Sequence, residues 1–76
     1  MRKTIHTDRG RLLAAMVREA REAKGYTLRQ LADRRDWPHT VIAKIETGER
    51  RLDLVELEAI CDALGVSFIE FGRRYR

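Results

Sequence analysis

The sequence offers few residues for cross-linking, metal binding or membrane insertion. Its single cysteine, Cys61, excludes an intramolecular disulfide framework and a cysteine-based zinc site, so we expect a reducing cytoplasm. The two histidines, His6 and His39, are too isolated to suggest a metal site. No apolar run approaches the length of a membrane span, and the first residues lack the apolar segment of a signal peptide. We therefore expect a soluble, cytoplasmic protein without a bound metal.

Catalytic residue patterns are absent as well. The chain has no glycine-rich phosphate loop, no nucleophile with a plausible base, and no pair of acids in an obvious cleft. We therefore expect no enzyme activity and no cofactor. With 76 residues, the chain has enough length for one small domain with a modest core, and no room for a second domain.

Charged residues are unevenly distributed along the chain. Residues 1–51 carry 13 Lys and Arg against 7 Asp and Glu, a net charge of +6. Residues 52–72 carry 5 Asp and Glu with no Lys or Arg, a net charge of −5, and residues 73–76 add 3 Arg. We expect the basic half to face a polyanion and the acidic segment to face away from it.

Hydrophobic spacing and helix-capping residues predict five helices, and no segment alternates long enough to predict a strand. In order, the predicted helices begin near residues 7–10, 28, 38, 53 and 67, and the first four end near residues 24, 34, 46 and 64. Asp53 with Glu56, and Ser67 with Glu70, are the residue pairs that cap the starts of the last two helices. The sequence therefore predicts an all-α domain.

The segment from residue 27 to residue 48 is the most informative part of the chain. Apolar residues recur at helical spacing in both halves, at Leu28, Leu31 and Ala32 and then at Val41, Ile42 and Ile45. Thr27 with Gln30 indicates a capping box, and Pro38 suits the first turn of a helix. Two short helices with such a short connection must cross steeply. This is the pattern of a helix-turn-helix, whose second helix can enter a DNA major groove.

At these residues the chain resembles the Xre/Cro-type helix-turn-helix family, the DNA-binding fold of many phage repressors and small bacterial regulators. The resemblance covers roughly residues 12–71 and is carried by Leu31, Ala32, Ile42, Ile45, Glu46, Gly48 and the run 52–67. It implies a compact five-helix, lambda-repressor-like domain over residues 10–72. A basic N-terminal arm (residues 1–9) and a basic tail (residues 73–76) would flank this domain in a bacterial or phage-encoded protein.

Position in the family motif implies which residues contact DNA. The groove-facing positions of the second motif helix are held by His39, Thr40, Val41 and Lys44. Phosphate contacts are expected from Arg29, Arg50 and Arg51. The family often has Gln where this chain has Leu28, and Leu28 cannot make that phosphate contact. For Arg34 and Arg35, at the far end of the first motif helix, we expect a solvated surface role.

Other positions are expected to have structural roles. The family pattern pairs an Arg late in the first helix with a Glu that ends the recognition helix, which here implies a bidentate pair between Arg21 and Glu46. Asp36 replaces the usual turn glycine and is expected to adopt the left-handed conformation. Trp37 and Cys61 are expected to lie in the core.

These features predict a sequence-specific, double-stranded DNA-binding transcriptional regulator. We expect a homodimeric repressor that reads a pseudo-palindromic operator. One short helix cannot easily bury three large apolar residues, so at least one of the following is expected to contact a partner copy: Phe68, Ile69 and Phe71.

Two other functions fit the same sequence features. One is an antitoxin that binds a toxin and its own promoter. The other is a protein-interaction adaptor that has lost DNA binding. The role of the N-terminal arm, with Arg2, Lys3 and Arg9, also stays open: it is either frayed or wraps onto DNA.

Overall fold

The computed structural model describes residues 8–75, which form five helices joined by short turns. The helices are α1 (Asp8–Ala23), α2 (Leu28–Arg34), α3 (His39–Thr47), α4 (Leu54–Leu64) and α5 (Phe68–Tyr75). No strand occurs within this range. The prediction of an all-α, five-helix domain is therefore confirmed.

The ends of the domain differ from the predicted boundaries. Helix α1 already begins at Asp8, so Arg9 is helical and does not belong to an extended arm. Helix α5 continues to Tyr75, so Arg73 and Arg74 of the predicted basic tail are helical. Arg73 and Arg74 lie in the last turn of this helix. Their positive charge complements the partial negative charge of the terminal carbonyl groups. The predicted arm residues Arg2 and Lys3, like His6, lie outside the described residues.

Side-chain caps define where helices α2 and α4 begin. The Thr27 hydroxyl accepts from the Gln30 amide, and the Gln30 side chain accepts from the Thr27 amide in return. Asp53 and Glu56 form the same reciprocal arrangement at α4. Pro38 was predicted to lie in the first turn of α3. In the structure it is the residue just before the helix, with an extended ψ of 139°. These hydrogen bonds stabilise the helix starts because they satisfy amides that have no partner inside the helix. The two predicted capping pairs, Thr27 with Gln30 and Asp53 with Glu56, are confirmed.

The turn between α2 and α3 is closed by Asp36 in the left-handed conformation, with φ 59°. The Trp37 amide donates to the Ala32 carbonyl at 2.9 Å, which completes a Schellman-type helix end. Glycine would adopt this φ with less strain, but Asp tolerates it better than most residues. The expectation for Asp36 is confirmed.

The core is built by one apolar stripe from each of the five helices. Helix α3 packs against both α1 and α2, and α4 packs against α2 and α5. The fully buried side chains include Val17, Leu31, Ile42, Ile60 and Cys61. Burial raises the pKa of the Cys61 thiol, as expected for a cysteine that serves as a small core residue. Trp37 is half-buried and packs against this core, so it covers the core from one side.

The three apolar residues of α5 have different environments. Phe71 is 4% exposed and belongs to the core of its own chain, so it is not the member of the three that is available to a partner copy. Phe68 is half-buried against the same core. Ile69, in contrast, is 67% exposed. Helical geometry explains the difference, since Phe68 and Phe71 are three residues apart on one face and Ile69 points away from it.

Candidate nucleic-acid interface

Helix α3 has one buried face and one exposed polar face. Ile42 and Ile45 are buried in the core. Thr40, Lys44 and Thr47 are exposed and recur at spacings of four and three residues, which places them on the face opposite to the isoleucines. The described chain therefore presents a row of hydroxyl and ammonium groups along one side of this helix.

The predicted base-reading residues are brought together only in part. His39, Thr40 and Lys44 are exposed on α3, as a groove contact requires. Val41 is half-buried and packs against the core, so only part of its side chain faces outward. Thr47 was not among the residues predicted to face DNA. Its spacing of seven residues from Thr40, two helical turns, places it on the same face of α3 and could have predicted this. Its hydroxyl donates to the Lys44 carbonyl at 3.1 Å.

A buried ion pair holds α3 against α1. Arg21 donates from Nε to Glu46 Oε2 at 2.7 Å and from Nη2 to Glu46 Oε1 at 3.0 Å. Its third nitrogen donates to the Tyr26 carbonyl at 2.6 Å. The hydrogen bonds with Glu46 raise the pKa of Arg21 above its ordinary value. The predicted pair is present, and it fixes the rotation of α3 that leaves the polar face exposed.

The loop after α3 is held by a second ion pair. Gly48 adopts the left-handed conformation, and the amides of Glu49 and Arg50 both donate to the Lys44 carbonyl. The two terminal nitrogens of Arg50 then bond to Glu56 at 3.0 and 2.7 Å. Arg50 therefore holds the loop to α4, with 38% of its side chain exposed, and its contact with phosphate stays a prediction. The next residue, Arg51, is exposed.

Replacing Glu56 by glutamine is expected to make the domain less sensitive to acid. Hydrogen bonds from Arg50 hold the pKa of Glu56 below its ordinary value of 4.5, and the Asp53 amide acts in the same direction. Because the folded-state pKa is the lower one, the carboxylate stabilises the fold above its unfolded-state pKa, and this contribution is lost as pH falls through the folded-state pKa. The difference in unfolding free energy between wild type and Glu56→Gln should therefore shrink below about pH 4.5.

Urea unfolding between about pH 3 and pH 7 measures this difference. Arg50→Gln provides the control, since removing the arginine removes the main cause of the pKa shift. In that background, Glu56→Gln should show much weaker pH dependence. A difference that stays constant with pH in the wild-type background contradicts the assignment.

Arg34 is exposed and Arg35 is half-buried, and both also make contacts that the sequence did not predict. Arg34 Nε donates to the Ala63 carbonyl at 2.8 Å, and its guanidinium lies 5.3 Å from the centre of the Tyr26 ring. Arg35 lies 3.6 Å from the Asp62 carboxylate. Both arginines therefore connect the end of α2 to the end of α4, whose terminal carbonyl groups attract cations.

The remaining candidates belong to α2. Arg29 is exposed near the start of this helix. Leu28 packs against the core, which agrees with the expectation that it makes no phosphate contact. Among residues 8–75 there is no cluster of potential metal ligands. Within the same range, no helix is long and apolar enough to cross a membrane.

The comparisons with known proteins point to a single family. The sequence model of the family described as Helix-turn-helix matches residues 17–71. An XRE-family like protein from Pseudomonas syringae pv. tomato str. DC3000 has a similar structure, with a TM-score of 0.86 and 35% identity over 95% of this chain and 88% of that one. No curated protein matches the chain.

Two described regulators also have similar structures. The restriction-modification controller protein C.Esp1396I gives a TM-score of 0.85 at 27% identity, covering 92% of each chain. The clp gene regulator ClgR from C. glutamicum gives a TM-score of 0.79 at 29% identity, covering 86% of this chain and 84% of that chain. Both likenesses extend over most of this chain.

Proposed function

The chain belongs to the XRE-type helix-turn-helix family of DNA-binding transcriptional regulators, and from this premise we propose that it is a homodimeric repressor that reads a specific operator sequence. The single observation that carries the proposal is the exposed row of Thr40, Lys44 and Thr47 on a helix whose opposite face is locked into the core. Such a helix has the width and the chemistry to enter a major groove.

Each side chain of this row suits a contact with base edges. Lys44 is a donor for the guanine acceptors, and the threonine hydroxyls can donate or accept while their methyl groups suit a thymine methyl. His39 is exposed at the start of α3, next to Thr40, and its ring nitrogens can also donate to or accept from a base. The buried pair of Arg21 and Glu46 supports the reading role, because base discrimination needs a helix held in one orientation.

Phosphate contacts are proposed for Arg51 and Arg29. Arg51 follows α3 in the loop that Arg50 and Glu56 hold in place, and both proposed residues are exposed. Cations at these positions would attract the DNA backbone without distinguishing sequences.

A second copy is proposed because one recognition helix reads only a few base pairs. The proposed dimer surface is centred on Ile69, which points away from the core; Phe68, half-buried on the core-facing side of α5, can add only its exposed edge. It lies in the segment 52–72, which carries only acidic charges and would turn away from DNA. Isologous pairing would give a pseudo-palindromic operator with half-sites about 34 Å apart. A dimer bound across a promoter would repress by occupying the DNA, and a reporter assay tests that sign.

Lys44→Ala and His39→Ala are expected to weaken binding to the operator more than binding to random DNA. The operator is first obtained by selecting bound sites from random duplexes. Loss of a good base contact should cost about 1–3 kcal/mol of discrimination. Arg51→Ala should instead weaken binding to all duplexes and flatten the salt dependence. Fluorescence anisotropy with specific and random duplexes at several salt concentrations separates the two effects.

Arg18→Ala provides the control, because Arg18 is exposed on α1 and already pairs with Glu22 at 3.2 Å. It should leave both affinities nearly unchanged. Equal losses on specific and random duplexes for the Lys44 and His39 variants would remove these residues from the reading set. If no sequence is enriched by the selection, the proposed function itself is wrong.

A further inference from the structure

Two adjacent cavities, together called the groove here, lie between the start of α1, the loop after α3 and the end of α5. Its first part has a volume of about 330 Å³ and its second part about 230 Å³. Both parts are lined by Leu13, Leu52 and Tyr75, so they adjoin along these three side chains. None of the roles assigned above to the face of α3 uses this groove.

The two ends of the groove differ in charge. Three arginines, Arg9, Arg50 and Arg51, line the first part together with an apolar floor that includes Leu13 and Ile45. The second part is lined mainly by apolar side chains, with Leu57 and Phe68 among them and Asp53 at its border. An anion is therefore attracted to one end, while the other end offers apolar surface and a single carboxylate.

Arg9 is the central cation of the first part. Its guanidinium donates to the Tyr75 carbonyl and lies 4.2 Å from the centre of the Tyr75 ring. A carbonyl oxygen and a ring face orient the guanidinium but do not neutralise its charge. Arg50, in contrast, is balanced by the Glu56 carboxylate. The fork of Arg9 thus remains positively charged at the edge of an apolar cavity.

We propose that this groove binds a small amphipathic anion, with a carboxylate at Arg9 and an unbranched apolar body along Leu13, Leu52 and the second part. The volume and the lining fit a small-molecule site, which is usually an apolar concavity with a few placed polar groups. Because arginines line only the first part, the groove favours a molecule with a single anionic group at one end.

The groove is coupled to the loop that the DNA proposal uses. Arg51 lines the groove and is also a proposed phosphate contact. A bound carboxylate would therefore compete with DNA phosphate for the same cation, so the anion should weaken DNA binding. This second effect rests on the proposed function, whereas anion binding itself does not.

Titration of the ¹⁵N-labelled chain without DNA tests the proposal, with octanoate, 1-octanol and sulfate as probes at constant ionic strength. Octanoate should give saturable amide shifts at Leu13, Leu52 and Tyr75 and should bind more tightly than either of the other probes. Arg9→Gln should weaken octanoate binding roughly tenfold, the size expected for one charge-assisted hydrogen bond. Arg18→Gln, on the same helix but outside the groove, should leave it unchanged.

Arg9→Lys separates a loss of charge from a loosened α5. Lysine keeps the cation, so it should recover part of the affinity that Arg9→Gln loses, and thermal unfolding shows whether each variant is folded. If 1-octanol binds as tightly as octanoate, the groove is only an apolar surface. If sulfate binds as tightly as octanoate, it is a site for inorganic anions. Either result, the absence of saturable shifts, or an equal loss in Arg18→Gln overturns the proposal. Octanoate binding without any bound DNA sequence would leave it standing while the proposed function fails.

Discussion

Replacing Arg21 by alanine is expected to lower the free energy of unfolding by about 3–5 kcal/mol, the range for removing one partner of a buried ion pair. The side chains of Arg21 and Glu46 are only 11% and 6% exposed, so water cannot replace the lost donor at Glu46. The Tyr26 carbonyl loses its donor at the same time. A domain of this size has about 4–11 kcal/mol of stability in total, so the loss should remove a large fraction of it and lower the urea midpoint clearly.

Urea unfolding of the single and double variants distinguishes a buried pair from two surface charges. The double variant Arg21→Ala/Glu46→Ala should be more stable than Arg21→Ala, because no unpaired carboxylate is left in the interior. Arg18→Ala is the matched control, because Arg18 and Glu22 form an ion pair on α1 with side chains 63% and 53% exposed. Losing this exposed pair should lower the free energy of unfolding by under about 1 kcal/mol. A similar small cost for Arg21→Ala would show that the pair does not hold α3.

Replacing Ile69 by aspartate is expected to dissociate the proposed dimer and to weaken operator binding about a hundredfold. The fold should survive, because the Ile69 side chain is 67% exposed and contributes little to the core of its own chain. A carboxylate in place of Ile69 would lose its water in the interface and would be repelled by the same carboxylate of the partner copy. The acidic segment around it adds to this repulsion. The loss should appear on the full operator and not on a single half-site, since only the full operator uses two copies.

Sedimentation at micromolar concentrations, with and without operator, measures the assembly. Ala15→Asp is the control, because Ala15 is an exposed small residue on α1 and the change adds the same charge. It should leave the dimer intact, so any change in its affinity measures the effect of the added charge alone. A wild-type chain that stays monomeric and fills half-sites without cooperativity would contradict the dimer and with it the repressor mechanism.

Local chemistry alone determined the order of the helices and most of their ends. The reciprocal pairs of Thr27 with Gln30 and of Asp53 with Glu56 act over three residues, so they can be recognised in a sequence and occur as predicted in the structure. The apolar spacing that buries Ile42 and Ile45 is likewise local, and it also determines which residues of α3 face outward. The family pattern supplied the one long-range pair, Arg21 with Glu46.

Only the tertiary structure decided how the other arginines and the aromatic residues of α5 are used. Arg34 reaches the Ala63 carbonyl and Arg50 reaches Glu56, and these contacts exist only because the helices pack together. Phe71 is buried and Ile69 is exposed because α5 turns one face to its own core, and composition does not distinguish the two faces. Long side chains choose partners by distance in space, and those distances depend on how the helices pack, which no local spacing records.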